Sequence, residues 1–251
     1  MRVRFRFTKL GKVRFTSHRD VARAWERALR RAQLPVAATE GFSPRPKVHF
    51  GLALPTAHES LGEYLDVDFR DEPGVGTDMS GLCDLLSPRL PDGIDVQVAA
   101  EVSSQTPSLQ QAVTSCTWTI EVHGLGVEQA EASVARLLAA DELPMTRQRK
   151  GNDVTDDIRP YLLHLAVDGP TPGITSPSGD RTIAPAGVRL LAELGTQPRG
   201  LRPAELVEAL GSDLLEGRVC RNQQWITLDG ARHEPLPAGA TSATPALEQA
   251  S

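Results

Sequence analysis

The sequence predicts an α+β fold made of two successive βαββαβ units with antiparallel sheets. Short stretches alternate apolar and polar residues at the two-residue period of a strand. Between them lie segments with apolar residues three and four apart, the period of a helix. In chain order these segments run β-α-β-β-α-β over residues 1–102 and again over 115–234. That is the ferredoxin-like pattern, stated twice in tandem. The size agrees, since 251 residues, 40% hydrophobic and 24% charged, suit two ordinary globular domains.

In the first unit, Val3, Phe5 and Phe7 alternate with Arg2, Arg4 and Arg6, which predicts a strand with one apolar and one basic face. Lys9 to Lys12 reads as a turn and Val13 to Phe15 as a short extended piece. Thr16 or Ser17 can cap the helix that follows. On that helix Val21, Trp25, Leu29 and Ala32 share one side, and Arg19, Arg23, Arg27 and Arg30 form a second stripe. A loop around Arg45 and Lys47 comes next. Gly41 permits its turn, and Pro44 and Pro46 fix their own φ and restrict the residue before each. Strands are predicted from Val48 to Leu54 and where Leu65, Val67 and Phe69 alternate with Tyr64, Asp66 and Asp68. A helix from Asp78 to Leu86 and a strand from Ile94 to Val102 complete the unit.

Residues 103–114 read as a linker. The second unit, 115–234, starts with a strand at Thr117 to Val122 and a helix at Glu128 to Ala140, with Ala132, Ala135 and Leu138 inward. A basic loop at Arg147, Arg149 and Lys150 precedes Asp157, Arg159 and a strand from Tyr161 to Val167. Residues 169–184 are rich in Pro, Gly, Ser and Thr and are expected to be an insertion. A strand at Val188 to Leu194, a helix opened by Pro203 and a strand at Val219 to Leu228 finish the pattern. The tail, 235–251, is expected to be disordered.

The net charge of −5 conceals an asymmetry. Residues 1–47 carry thirteen Lys and Arg against three acids, a net of +10, while the rest of the chain carries −15. Such polarity points to a polyanionic partner met by one end of the molecule. Ten of those thirteen cations are Arg, whose forked donors suit phosphate. No apolar run approaches the roughly 20 residues of a membrane span. The alternating N-terminus does not resemble a secretion signal, so a cytoplasmic protein is expected. Cys83, Cys116 and Cys220 are too scattered for a disulfide framework or a zinc or cluster motif, and no metal or cofactor is expected.

With these residues laid out, the chain resembles the family of radical SAM-linked proteins, DUF2344. The resemblance rests on FRFTKLGKVRFTSHRDV, on GFSPRPKVHFGLALP, on Glu59, Ser60 and the stretch Glu63 to Asp66, and on DDIRPYL. It covers residues 1–70 and, more weakly, 115–230. Thr56-Ala57-His58 stands where the family runs from the proline into a Gly-containing turn. The resemblance implies a bacterial cytoplasmic protein tied to RNA metabolism or to a radical SAM partner. This chain lacks the three-cysteine motif that holds the usual radical SAM cluster.

The expected function is an RNA-binding accessory module acting with a radical SAM protein or with RNA-processing or modification machinery. The expected phosphate contacts are Arg4, Arg14, Arg19, Arg23, Arg27, Arg45 and Lys47, with Arg147, Arg149, Lys150 and Arg159 as a second cluster oriented by Asp157. Base stacking is expected to be minor, because only 4% of residues are aromatic. The alternative is an RNA-modifying or RNA-processing enzyme with its active site in a basic cleft between the two domains. Its candidate acid–base pair is His18 and Asp20, for which capping and surface pairing at the helix start is the favoured explanation, because no nucleophile or metal cluster accompanies it. Glu59, Glu63, Asp66 and Asp68 could bind a metal, or Asp66 and Asp68 could pair with the basic strands beside them.

Overall fold

A strand whose two faces are both covered organises the N-terminal part of the chain. In the computed structural model, which describes residues 1–70, 78–149, 151–176, 178 and 180–240, the fold is mixed α and β. Its strands are mostly antiparallel and five α-helices occur among the described residues. The chain forms two compact units. The first holds 1–56, 61–112 and the described residues after 230; the second holds 57–60 and 113–230.

The first unit comprises β1 (Arg2–Lys9), α1 (His18–Arg31), β2 (Val48–Phe50), β3 (Glu59–Asp68), α2 (Met79–Leu86) and β4 (Val96–Val102), then a short α3 (Leu109–Ala112). Its strands lie in the order β4-β1-β3, with β2 beside β3. β1 and β4 are antiparallel from Arg2 opposite Val102 to Phe7 opposite Val96, and β2 and β3 are antiparallel from Val48 opposite Val67. The apolar side of β1 meets α1. Trp25 is fully buried, with its ring centroid 5.7 Å from Phe5 and 5.0 Å from Phe7, and Val21 and Leu29 extend the contact. Leu82 and Leu86 of α2 complete that core. Asp78 caps α2, accepting a hydrogen bond from the Gly81 N–H at 2.7 Å.

The other side of β1 is a ladder of ion pairs. Arg2 donates to Asp68 at 2.6 Å and Arg4 to Asp66 through two nitrogens at 2.6 and 2.8 Å. These pairs descend in opposite directions along β1 and β3, as antiparallel neighbours require. Arg4 is 2% exposed and Arg6 1%. Chain from beyond the predicted tail boundary helps cover them, because Arg4 Nη1 donates to the Pro235 carbonyl at 3.1 Å and Arg6 lies 3.5 Å from Glu234. Residues 241–251, the rest of the expected tail, lie outside the described residues.

The second unit comprises β5 (Ser115–His123), α4 (Val127–Ala139), β6 (Pro144–Arg149), β7 (Asn152–Asp157), β8 (Leu162–Thr171), β9 (Ile174–Thr175), β10 (Thr182–Ala184), β11 (Gly187–Gly195), α5 (Pro203–Leu210) and β12 (Leu215–Leu228), followed by β13 (Ala231–His233) in the returning segment. Its main strands run β12-β5-β11-β8, antiparallel throughout. In chain order that is last-first-third-second, the same order as in the first unit. β6 and β7 form a separate hairpin, and so do β9 and β10 within the predicted insertion.

Five sequence expectations change. The basic loop expected at Arg147 and Arg149 is, as far as it is described, part of β6 in the β6–β7 hairpin. Gly11–Phe15 is a 3-10 turn, where an extended piece was expected. The linker contains α3, whose Leu109 is buried with Val113 beyond it, so apolar burial overrides its polar composition. The strand predicted from Val48 to Leu54 pairs only over Val48–Phe50. Finally, α4 buries Ala130, Val134 and Leu137 and turns Ala132, Ala135 and Leu138 outward. Both triplets fit a helical period, and the buried one carries the branched Val134 that fills more of the core.

Candidate functional site

The exposed side of α1 and the proline-flanked loop enclose a cleft of about 620 Å³. Its cationic lining is Arg19, Arg23 and Arg30 from the helix and Arg45 from the loop. Pro44 and Pro46 make the opposite wall, and Ala22 and Glu26 complete the helix side.

Local sequence explains both walls. Ser17 caps α1, its hydroxyl accepting from the Asp20 N–H at 3.2 Å and donating to the Asp20 carboxylate at 2.7 Å. That hydroxyl bond, with Arg23 nearby, holds the Asp20 carboxyl below its ordinary range. The loop is tied at its base: the Thr39 N–H donates to the Arg45 carbonyl at 2.8 Å, and the Arg45 N–H donates to the Thr39 hydroxyl at 3.0 Å. Ala38 and Pro46 form an isolated bridge just below. At its tip Gly41 has φ +124°, a conformation that glycine adopts readily and other residues only with strain.

Helical geometry selects the wall. At about 100° per residue, positions 26 and 30 fall within about 20° of position 19, while position 27 lies about 80° away. Glu26 therefore faces the cleft and Arg27 does not, so the sequence-predicted stripe is corrected by one residue. Arg23 donates to Asp20 at 3.3 Å, with both side chains more than half exposed, a pair that contributes little. The side chains of Arg19, Arg30 and Arg45 have no hydrogen-bond or ion-pair partner among the described residues.

The other predicted residues fall elsewhere. Arg4 is removed from the phosphate-binding set: it is buried and its donors are held by Asp66 and Pro235. Arg14 lies over the Phe15 ring at 4.7 Å in the turn before α1, and Lys47 is half-buried and outside the cleft lining. His18 shares no hydrogen bond with Asp20 among the described residues; its ring meets Phe50 edge-on at 5.1 Å.

The second cluster is a set of structural contacts. Arg147 and Arg199 converge on Asp156, and Arg199 also reaches Glu205. Asp157 accepts the backbone N–H groups of Leu143 and Arg159. Arg159 donates to the carbonyls of Leu138, Ala140 and Leu162, closing the C-terminal end of α4. The Arg149 side chain and Lys150 lie outside the described residues. Of the acids weighed as metal ligands, Glu59 pairs with Arg218 at 2.6 Å, and Asp66 and Asp68 pair with Arg4 and Arg2.

Two features of the site escape residue-type reasoning. Glu26 places a carboxylate among the arginines. Phe42, at the loop tip, is fully exposed. The signal for Phe42 was its context, an aromatic between Gly41 and Ser43 with no apolar neighbour to pack against.

Among known proteins, a family described as "Uncharacterized protein conserved in bacteria (DUF2344)" matches residues 2–197. No curated protein matches the chain.

Proposed function

The chain belongs to DUF2344, and on that premise we propose that it is an RNA-binding accessory module that holds phosphates in the arginine-lined cleft of its first unit. One observation carries the reading: four arginines line a single cleft, and the guanidinium groups of three of them have no partner among the described residues. Unpaired cations gathered on one face repel one another. An anion with several charges relieves that repulsion, and guanidinium groups match phosphate oxygens in pairs. The lining of guanidinium groups and proline rings favours holding a substrate over reacting with it. We read both units as ferredoxin-like domains in tandem, on the strength of their shared strand order. The resemblance noted above adds a bacterial cytoplasmic setting and a radical SAM protein as the second expected partner.

A salt titration tests the reading. RNA affinity should fall log-linearly with salt at a slope of about −0.7 per phosphate contacted, so three or four contacts give roughly −2 to −3. His18→Ala should leave that affinity unchanged. Binding that is absent, or indifferent to salt, sinks the proposal.

A further inference from the structure

We infer that the cleft takes an unpaired nucleotide of RNA, with the phosphate among the arginines and the base stacked on the ring of Phe42. The inference rests on the RNA-binding reading and narrows it to single-stranded segments.

Phe42 stands apart among the six phenylalanines of the chain. Phe5, Phe7 and Phe69 are buried and Phe15, 60% exposed, has Arg14 over its ring, whereas Phe42 is fully exposed. An aromatic ring in that state forgoes all of its available burial. The loop bearing it is closed by the two Thr39–Arg45 hydrogen bonds and stiffened by Pro44 and Pro46, and its tip turns at Gly41. The backbone that carries the ring therefore loses little freedom when something covers it.

Its position relative to the cleft follows from the chain. Pro44 lines the cleft, and two peptide steps of 3.8 Å place the Phe42 Cα within about 7.6 Å of the Pro44 Cα. A flat apolar ring carried on the cleft's own loop, two residues from its lining, matches the two parts of a nucleotide, a base plane joined to a phosphate. In a duplex both faces of an internal base are occupied by its neighbours, so only an unpaired nucleotide can offer a face to Phe42. An acidic protein segment would satisfy the arginines but has no planar group joined to each charge.

The test compares a short single-stranded RNA with the blunt duplex of the same sequence, using the full chain and the Phe42→Ala and Phe42→Tyr variants. We expect the wild type to prefer the single strand. Phe42→Ala should weaken single-strand binding roughly five- to a hundredfold, the range that one stacked base supplies, and leave duplex binding unchanged. Phe42→Tyr should restore the preference. A 2-aminopurine placed in the strand should lose fluorescence with wild type and less with Phe42→Ala. Salt-dependent binding that Phe42→Ala leaves intact, or weakens equally for strand and duplex, overturns the stacking role and marks Phe42 as an anchor for a protein partner. If neither RNA binds the wild type with salt dependence, the RNA-binding reading itself fails, and this inference with it.

Discussion

Two sets of arginines lie within the first thirty-one residues, and the fold treats them in opposite ways. Those on β1 are taken out of water and given partners; those on α1 are left in water, where Arg23 alone of the cleft arginines meets an acid among the described residues, the exposed Asp20. Arg4 is buried against Asp66, itself 2% exposed, while Arg19 and Arg30 face the cleft. The difference is set by what stands opposite. β3 presents Asp66 and Asp68 at the two-residue period of β1, whereas α1 faces a loop that brings Arg45. An arginine run is thus a structural device when its partner element carries acids at the same period, and a candidate binding surface when it does not. In the second unit too arginines are held by acids, though singly and not as a run: Asp156 meets Arg147 and Arg199, and Glu205 meets Arg199.

The sharpest way to break this comparison is to remove one β1 arginine. Arg4→Ala leaves Asp66 buried without its guanidinium and should cost about 3–5 kcal/mol, read as a lowered urea midpoint. Replacing the pair together, Arg4→Met with Asp66→Leu, should recover most of that loss. RNA affinity of the folded protein should not change. A destabilisation below about 1 kcal/mol would mean that the ladder does not hold the sheet.

The cleft arginines should respond in the reverse sense. Changing Arg19, Arg23 and Arg30 together to Glu should weaken RNA binding by tenfold or more, or at least about 1.4 kcal/mol, and flatten its salt dependence. The unit should stay folded with at most a small loss of stability, because Val21, Trp25 and Leu29 keep their packing while the new glutamates repel Asp20, Glu26 and one another at helical spacing. Arg27→Glu, about 80° round the helix, should cost less than any single change within the lining. Arg45→Ala should cost more than Arg30→Ala, because the tied loop holds Arg45 in place. Equal losses at Arg27 and Arg19 would show that net charge, not the cleft, governs binding.

The smallest effect expected is with acid. The Arg2 hydrogen bond, with His49 also in reach, holds the Asp68 carboxyl below its ordinary range. A carboxylate whose folded value is depressed contributes stability above its unfolded value, near 3.9, and that contribution is lost as pH falls through the folded value. Urea midpoints should therefore decline below about pH 4, and Arg2→Ala should shrink that decline.

The strands and helices were legible because each is short and bounded by its own punctuation. Ser17 and Asp78 cap α1 and α2, and Pro203 opens α5. The inward side of α4 was not, since Ala and Leu stand on two of its faces and only the packed sheet chooses between them. The contact of Arg4 with Pro235 spans 231 positions and has no local signal. At the site, the cationic helix side and the stiff loop were visible separately. Their meeting is tertiary, and so is the sorting of Arg4 and Arg159 out of the binding set. Glu26 in place of Arg27 could have been derived from the helical angle alone.

The hydrogen bond from Arg4 to the Pro235 carbonyl has a consequence for synthesis. Chains emerge from the ribosome N-terminus first, and domains generally fold as they appear. β1 is made well ahead of residue 235, yet one acceptor for its buried guanidinium arrives only when that residue has been translated. Until then the charged side of β1 is open to solvent and to any acidic or carbonyl-rich surface nearby. The first unit therefore waits, partly unsealed, while the 231 positions between Arg4 and Pro235 are made.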